Sequence, residues 1–471
     1  MLFNTLDYIL FLPIVIIGYY LLNAKYRWAL LLIASYYFYM CWKPEYVVLI
    51  LISTLIDYFA GLQMAKRDSK KKRRPFLLLS LTANLGILFA FKYANFFSET
   101  ATNIAQSLDF SVNFPLMDVL LPVGISFYTF QTISYSIDVY KGEIKPERHL
   151  GHFALFVSFF PQLVAGPIER FSSLSPQLKR PNSFSYDNLR NGTRLILFGL
   201  FAKMVIADNA APIADEIFNT PELYNSLNIS LGLFFYSFQL YCDFFGYSVI
   251  AIGSAMIMGV KLMDNFNTPY LSVNVADFWR RWHISLSTWF RDYIYFPMGG
   301  NRTSKLKWMF NIVSVFVISG FWHGASFTFI FWGLLVGALY VVEMTINKAL
   351  KINLEVKPFS LNHILRALKT FVLITFTWIF FRSLTFSDSW IMFDALFSNG
   401  GLSGKALEIS TAIWVLLLGF IVLDWFLYNK RFDDWVERRP FVIRWSIYAV
   451  MIFSIIVYTG VEEIPFIYFQ F

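Results

Sequence analysis

The chain has 471 residues, 57% of them hydrophobic, 20% aromatic and only 15% charged, with a formal net charge of +8. A soluble domain needs about 25% charged residues to cover its surface, so this composition excludes a water-exposed globule. The excess of positive charge falls between apolar runs, where it sets membrane orientation, and this argues against nucleic-acid binding.

Repeated apolar runs of about twenty residues have the length that a ~30 Å hydrocarbon layer demands of a helix. Outer-membrane strands are about half as long and alternate more strongly. The expected fold is therefore all-α and polytopic, with roughly ten to twelve crossings in a single membrane domain over residues 1–471. The first run, Leu6 to Leu22, has no basic flank before it and no small-residue cleavage site, so it reads as a retained helix. Lys25 and Arg27 follow that run, and Lys43 and Glu45 follow the second. A basic loop with Lys66, Arg67, Lys70, Lys71, Lys72, Arg73 and Arg74 follows the third. Excess lysine and arginine mark cytoplasmic loops, which places this loop inside and, counting back, the N-terminus outside. The next segment, Ser98 to Asp118, carries Glu99, Asp109 and Asp118 and no base, as an external loop should.

A crossing over Leu120 to Val139 leads to a second basic loop with Lys141, Lys145 and Arg148. The apolar stretch Phe153 to Val164 holds Pro161 and is too short to span, so a re-entrant or interfacial hairpin is expected there. Crossings near Leu195 to Ala207 and Ile229 to Ile250 flank an acidic loop. Asp277 to Lys307 mixes aromatic and basic residues. Phe278, Trp282, Trp289 and Tyr293 recur at spacings that suit one amphipathic interfacial helix. A long apolar stretch, Trp308 to Met344, comes next, and then crossings near Ile364 to Phe381, Ala412 to Tyr428 and Trp445 to Tyr458, which leaves both termini external.

Few residues in these runs can do chemistry. Cys41 and Cys242 lie in separate apolar segments with no metal or redox spacing, and read as packing residues. Of five histidines, only His323 sits within a long apolar run, about fifteen residues beyond Trp308, or roughly 22 Å along a helix. An ionisable group at such depth faces either a structural partner or a cavity, and an imidazole suits general-base work near neutral pH. Gly320 and Gly324 flank it and would let another helix or a substrate approach the backbone. Arg280, Arg281, Trp282 and His283 admit two readings, a headgroup anchor or a site for a phosphate-rich donor. Asp57, Lys92, Asp138, Lys203 and Asp243 lie inside predicted spans, as an ion path or as structural pairs. No nucleotide loop or metal cluster is visible.

Five stretches then carry a resemblance. They are Pro122 to Gln131, Phe160 to Ile168, Tyr241 to Ser248, Phe278 to Gly300 and Ser319 to Gly324. In this order they are similar to the membrane-bound O-acyltransferase family, and within it to the alginate O-acetyltransferase-like branch. Phe245 departs from the small residue expected in the Asp-Phe-Ser-Gly-Tyr form. The resemblance implies that His323 is the catalytic histidine, in a tunnel between a cytoplasmic donor pocket and an external acceptor side. It implies that His283 is a second functional histidine on the donor side. Asp243, Trp322 and Ser319 become candidate tunnel-lining residues, and Arg280, Arg281 and Trp282 candidate donor contacts.

The implied activity is transfer of an acetyl group from cytoplasmic acetyl-CoA, a substrate rather than a bound cofactor, to hydroxyls of an extracytoplasmic polysaccharide such as an alginate-like exopolysaccharide or peptidoglycan. The expected setting is the cytoplasmic membrane, with an extracytoplasmic acetyltransferase of SGNH-hydrolase type as partner. D-alanyl transfer to teichoic acid from a carrier protein is the alternative within the same chemistry. A secondary transporter or flippase is the alternative from another class, and a non-enzymatic membrane scaffold is a third. The C-terminus, Pro465 to Phe471, resembles C-terminal Phe-x-Tyr-Phe motifs linked with acyl transfer to cell-wall polymers. This makes Tyr468 a candidate acyl relay, against the plainer reading of an interfacial aromatic anchor.

Overall fold

The computed structural model describes residues 1–118, 120–398, 405–460 and 464–467. Among these residues every regular element is helical. Seven helices are long and apolar enough to cross a membrane: Pro44–Ala65, Lys70–Ser107, Tyr186–Asn219, Ser226–Ile257, Phe327–Ala349, Leu361–Arg382 and Phe441–Tyr458. Leu6–Leu21 and Thr411–Phe426 are shorter apolar helices. Their outer faces expose leucine, isoleucine, valine and phenylalanine in numbers that only lipid would solvate. The chain divides into two compact units. The first comprises Met1–Thr193 with Ile250–Met263, and the second Arg194–Val249 with Asp264–Phe471.

In the first unit, the basic loop is half helix. Ser69 caps a helix that starts at Lys70, its side chain accepting from the Lys72 amide. Five of the seven bases thus occupy the opening turns, where positive charge opposes the helix dipole. Arg73 offsets part of this by donating to the Arg67 carbonyl at 2.9 Å. The helix continues through a π-helical turn, Phe89–Tyr93, to Ser107, so the predicted external loop from Ser98 is helical over its first half. The next helix begins only at Ile125, after Gly124 at φ +75°, where a Cβ would lie 2.6 Å from the Leu163 carbonyl oxygen. It is enclosed by protein on nearly every side, and buries Thr129, Gln131, Thr132, Ser134 and Ser136. A helix without a lipid face keeps such residues only if they find partners, and Gln131, Thr132, Ser134 and Ser136 do. Phe153 to Val164 is the short break expected, built as Leu150–Ser158 and Phe160–Leu163 and deeply buried.

Asp57 forms the polar centre of this unit. The Ser80 hydroxyl donates to its Oδ1 at 2.5 Å, Ser136 donates at 3.3 Å, and the Asn84 amide reaches both carboxylate oxygens at 2.9 and 3.0 Å. These donors come from the Lys70–Leu88 and Ile125–Lys141 helices, so one carboxylate ties three helices together. Asp57→Leu should destabilise the protein by about 1–3 kcal/mol for each donor left unsatisfied. Thermal unfolding in detergent would show a lower midpoint, with Asp57→Asn falling between wild type and Asp57→Leu.

Candidate active site

The second unit carries the chemistry-bearing residues, and two glycines explain how. The apolar stretch after Trp308 is a hairpin of the helices Lys305–His323 and Phe327–Ala349. A Cβ on Gly320 would lie 2.2 Å from the Phe329 carbonyl oxygen, and one on Gly333 would lie 2.2 Å from that of Phe316. The two backbones therefore touch, and any side chain at those positions would force them apart. Gly324 ends the first helix in extended geometry, and Ser326 caps the second by accepting from the Thr328 amide. His323 is consequently the last residue of its helix, roughly 27 Å along the axis from Lys305.

Aromatic rings enclose that imidazole, which is only 5% exposed. Trp322 stands edge-on at 4.8 Å between ring centroids, and Trp332 and Phe381 each at 5.4 Å. Trp378 stacks on Trp332 at 5.9 Å and meets Trp282 at 5.5 Å. Ser319, one turn before His323, is also buried. A wall of rings keeps water away and strengthens any hydrogen bond made to the imidazole.

His283 lies on the other side of Trp322, at 6.3 Å between centroids. The segment around it is not the single amphipathic helix expected. It forms Val275–Arg281, Ile284–Phe290 and a π-helical turn, Arg291–Tyr295, because His283 adopts a left-handed conformation at φ +45° and ψ 55°. Asn265 holds this kink. Its Oδ1 accepts from the Ser285 hydroxyl at 2.9 Å and faces His283 Nδ1 at 3.1 Å, and its Nδ2 donates to Ser248 Oγ at 3.1 Å. The backbone joins in, with the Ile284 amide donating to the Asn265 carbonyl and the Asn267 amide to that of Arg281. An acceptor at Nδ1 fixes the proton of a neutral ring there and leaves Nε2 as the basic nitrogen. Burial pushes the His283 pKa down to about 3. A non-glycine residue held in this strained region is a frequent mark of a working site.

The other candidates have distinct surroundings. Trp282 is buried, stacked on Phe278 at 5.4 Å and packed against Phe266 at 5.2 Å. Arg281 bonds Asp277, Asn429 and the Tyr428 hydroxyl, while Arg280 is exposed. Asp243 is buried in an ion pair with Lys203 at 2.5 Å, and Lys203 also meets Asp208 at 2.7 Å. Tyr468 lies outside the described residues. Phe245, the departure from the family form, packs against Phe198 and Tyr241.

The structure adds a feature that sequence reading missed. Asp264, Phe266, Asn267, Ile284, Asn429, Lys430, Arg431, Asp434, Trp435, Arg438 and Arg439 line a pocket of about 510 Å³. It holds four cationic side chains against two carboxylates. Its walls adjoin His283 through Ile284, the next residue in the chain, and through Phe266, which meets Phe244 at 5.1 Å, itself 4.6 Å from the His283 ring. The Lys430, Arg431, Arg438 and Arg439 cluster was legible in the sequence, but its distance from residues 264–284 hid the shared cavity. Asn265 carried no sequence signal beyond its place in a turn-rich stretch.

Residues 147–385 match the family profile MBOAT, membrane-bound O-acyltransferase family. The chain belongs to this family. It is similar to "Probable alginate O-acetylase AlgI" of Pseudomonas aeruginosa, with 38% identity over 437 residues that cover 91% of this chain and 82% of the relative. "Peptidoglycan O-acetyltransferase" of Helicobacter pylori is 39% identical over 415 residues, covering 81% and 77%. "Teichoic acid D-alanyltransferase" of Bacillus subtilis is 35% identical over 224 residues, covering 45% and 56%. The protein is thus a multi-pass membrane O-acyltransferase, and the transporter and scaffold readings give way to an enzyme.

Two outcomes follow from this geometry. Gly333→Ala should displace the hairpin that carries His323, at about 1–3 kcal/mol of overpacking cost. Ester formation should fall at least tenfold at equal protein level, a drop of about 1.4 kcal/mol or more in transition-state stabilisation. The second concerns acid. His283 is depressed when folded, so the unfolded chain binds a proton that the folded chain refuses between pH 6.5 and about 3. The stability present above that window is lost as pH falls through it. Unfolding midpoints measured from pH 7 to 4.5 should therefore decline more steeply for wild type than for His283→Gln.

Proposed function

We propose that this enzyme moves an acetyl group from cytoplasmic acetyl-CoA to hydroxyls of an extracytoplasmic polysaccharide, alginate-like or peptidoglycan. The reading rests on one observation above all. His323 and His283 meet the same tryptophan, Trp322, and a cation-rich pocket opens beside His283. The relatives that align over most of the chain are named for alginate and peptidoglycan, and this supports the substrate class.

In this reading the donor's phosphates enter the pocket of Lys430, Arg431, Arg438 and Arg439, where guanidinium groups bind phosphate oxygens in pairs. The thioester then reaches inward past Phe266 and His283. The Nε2 lone pair of His283 accepts from an amide N–H of the donor's pantetheine arm, and the aromatic wall excludes the water that would hydrolyse the thioester. His323 acts as general base. It takes the proton of an acceptor hydroxyl as that oxygen attacks the acetyl carbonyl, the carbon–sulfur bond breaks, and the imidazolium returns the proton to the departing thiolate. Trp322 and Ser319 form the passage around this step. Arg280 and Arg281 serve the donor side, and Trp282 belongs to the aromatic wall.

The first acceptor in this scheme is Tyr468, whose phenol is a poor nucleophile without such a base. The tyrosyl ester then passes its acetyl group to the polymer through an extracytoplasmic acetyltransferase of SGNH-hydrolase type. The orientation consistent with this scheme puts the basic loops in the cytoplasm and both termini outside the cytoplasmic membrane. D-alanyl transfer shares the chemistry and is the second reading. The D-alanyltransferase relatives align over 45% and 56% of this chain, against 91% and 81% for the alginate and peptidoglycan relatives, which favours acetyl.

The test uses inverted membrane vesicles that enclose the soluble partner and the polymer, with acetyl-labelled CoA added on the outer, cytoplasmic face. Wild type should transfer label to polymer, and His323→Ala should lose at least a hundredfold in rate. Arg438→Glu with Arg439→Glu should raise KM for the donor while sparing kcat. Full labelling by His323→Ala, or label taken only from a D-alanyl carrier protein, would overturn the assignment.

A further inference from the structure

The buried Lys203–Asp208–Asp243 cluster has more negative than positive charge. Lys203 is 1% exposed, and its ammonium meets Asp243 at 2.5 Å and Asp208 at 2.7 Å. One ammonium balances one carboxylate, and the surplus must be met by hydrogen-bond donors, because an uncompensated charge away from water is costly. Lys203 sits in a π-helical turn, Phe201–Ala207, an irregularity that recurs at functional sites. Across from it, Gly246 lets the helices close. A Cβ there would lie 2.7 Å from the Gly199 carbonyl oxygen.

The missing donor comes from the C-terminal segment. The amide of Ile467 donates to Asp243 Oδ2 at 2.7 Å, and this bond is buried. Phe466 is fully buried, stacked on Tyr247 at 4.6 Å and 25°. The Lys203 ammonium approaches the Tyr247 ring at 5.8 Å, so cation, tyrosine and phenylalanine form a continuous series. Phe466 also meets Phe244 at 5.7 Å, and Phe244 stands edge-on to His283 at 4.6 Å. Phe466 is therefore held one ring away from the donor-side histidine, while Pro465 just before it is exposed.

We infer that Lys203, Asp243 and Tyr247 form a socket that binds the C-terminal segment of the chain and positions it for acyl transfer. Asp243 is then a positioning residue that acts through the backbone of Ile467, and Phe466 is the plug that sets the depth. A charge-assisted amide bond and a stacked ring together fix Ile467 and Phe466 in the socket. The inference rests on the acyl-transfer reading above only for the purpose of the docking, not for the docking itself.

Replacing a charged member of the cluster would strand its partners and could unfold the protein, so the test changes the segment instead. Ile467→Pro deletes the one amide hydrogen that Asp243 accepts and leaves the ion cluster intact. Ile467→Ala keeps that hydrogen and serves as the conservative control, and Phe466→Ala removes the plug. Docking is read by electron paramagnetic resonance of a nitroxide on Pro465→Cys, in a full-length Cys41→Ser background. Ester formation is read on the same segment variants without the label.

The expected result is a restrained label in the parent and in Ile467→Ala, and a mobile label in Ile467→Pro and Phe466→Ala. Ester formation should fall at least tenfold in those last two, with donor KM unchanged. A label that stays restrained in both would overturn the socket. A mobile label with full ester formation would overturn its positioning role. His323→Ala separates this from the wider reading, since it should abolish ester formation while the label stays restrained.

Discussion

The close approach of two helix backbones at Gly320 and Gly333 is the constraint on which the site depends. It lets the Phe327–Ala349 helix return tightly along Lys305–His323, and so brings Trp332 to the face of an imidazole at the preceding helix end. Without that contact the ring of Trp322, Trp332 and Phe381 around His323 would not close. In lipid, where apolar side chains gain little by leaving one apolar medium for another, helix association rests on close packing and on hydrogen bonds between polar groups. Glycines at the crossing supply the first, and the Asp57 network in the other unit supplies the second.

Buried charge is handled differently in the places where it occurs. Asp57 is a lone carboxylate neutralised by hydroxyl and amide donors from neighbouring helices. Asp243 and Asp208 share one ammonium, and Asp243 also accepts from the backbone amide of Ile467. His283 is kept neutral by burial, with its tautomer chosen by Asn265. Each solution leaves a different capacity. The first ties helices together, the second holds a backbone segment, and the third leaves Nε2 as the basic nitrogen. The segment from Asp264 to Thr268 links the last of these to the basic pocket, since Asn265 fixes the histidine while Asp264 and Phe266 line the cavity.

Apolar run length, the loop charges and the five motif stretches made the membrane class, the helical fold and the acyltransferase family legible. These are properties that each local segment carries by itself. Where sequence reading departed from the structure, the cause was an interaction between segments. The helix beginning at Ile125 is wrapped by protein rather than lipid, which its serines and threonines reflect only once their partners are known. The amphipathic spacing from Phe278 to Tyr293 suggested one helix, yet a left-handed His283 breaks it, and the Ile284 amide donates to the Asn265 carbonyl instead of continuing the helix. The basic run at Lys70 looked like loop from its charge alone, although Ser69 provides a helix cap.

The sequence by itself determined that the chain must live in a bilayer, that it is built from helices, and that His323 is an ionisable group in apolar surroundings, because hydrophobicity and its periodicity are written residue by residue. Only the tertiary structure decided that His323 and His283 share Trp322, that residues 264–284 and 429–439 enclose one cationic pocket, and that Asp243 accepts from Ile467. The physical reason is that hydrogen bonds, ion pairs and ring contacts act over a few ångströms. Which groups come that close is set by helix crossing and chain return, which join positions more than two hundred residues apart in the Asp243–Ile467 bond.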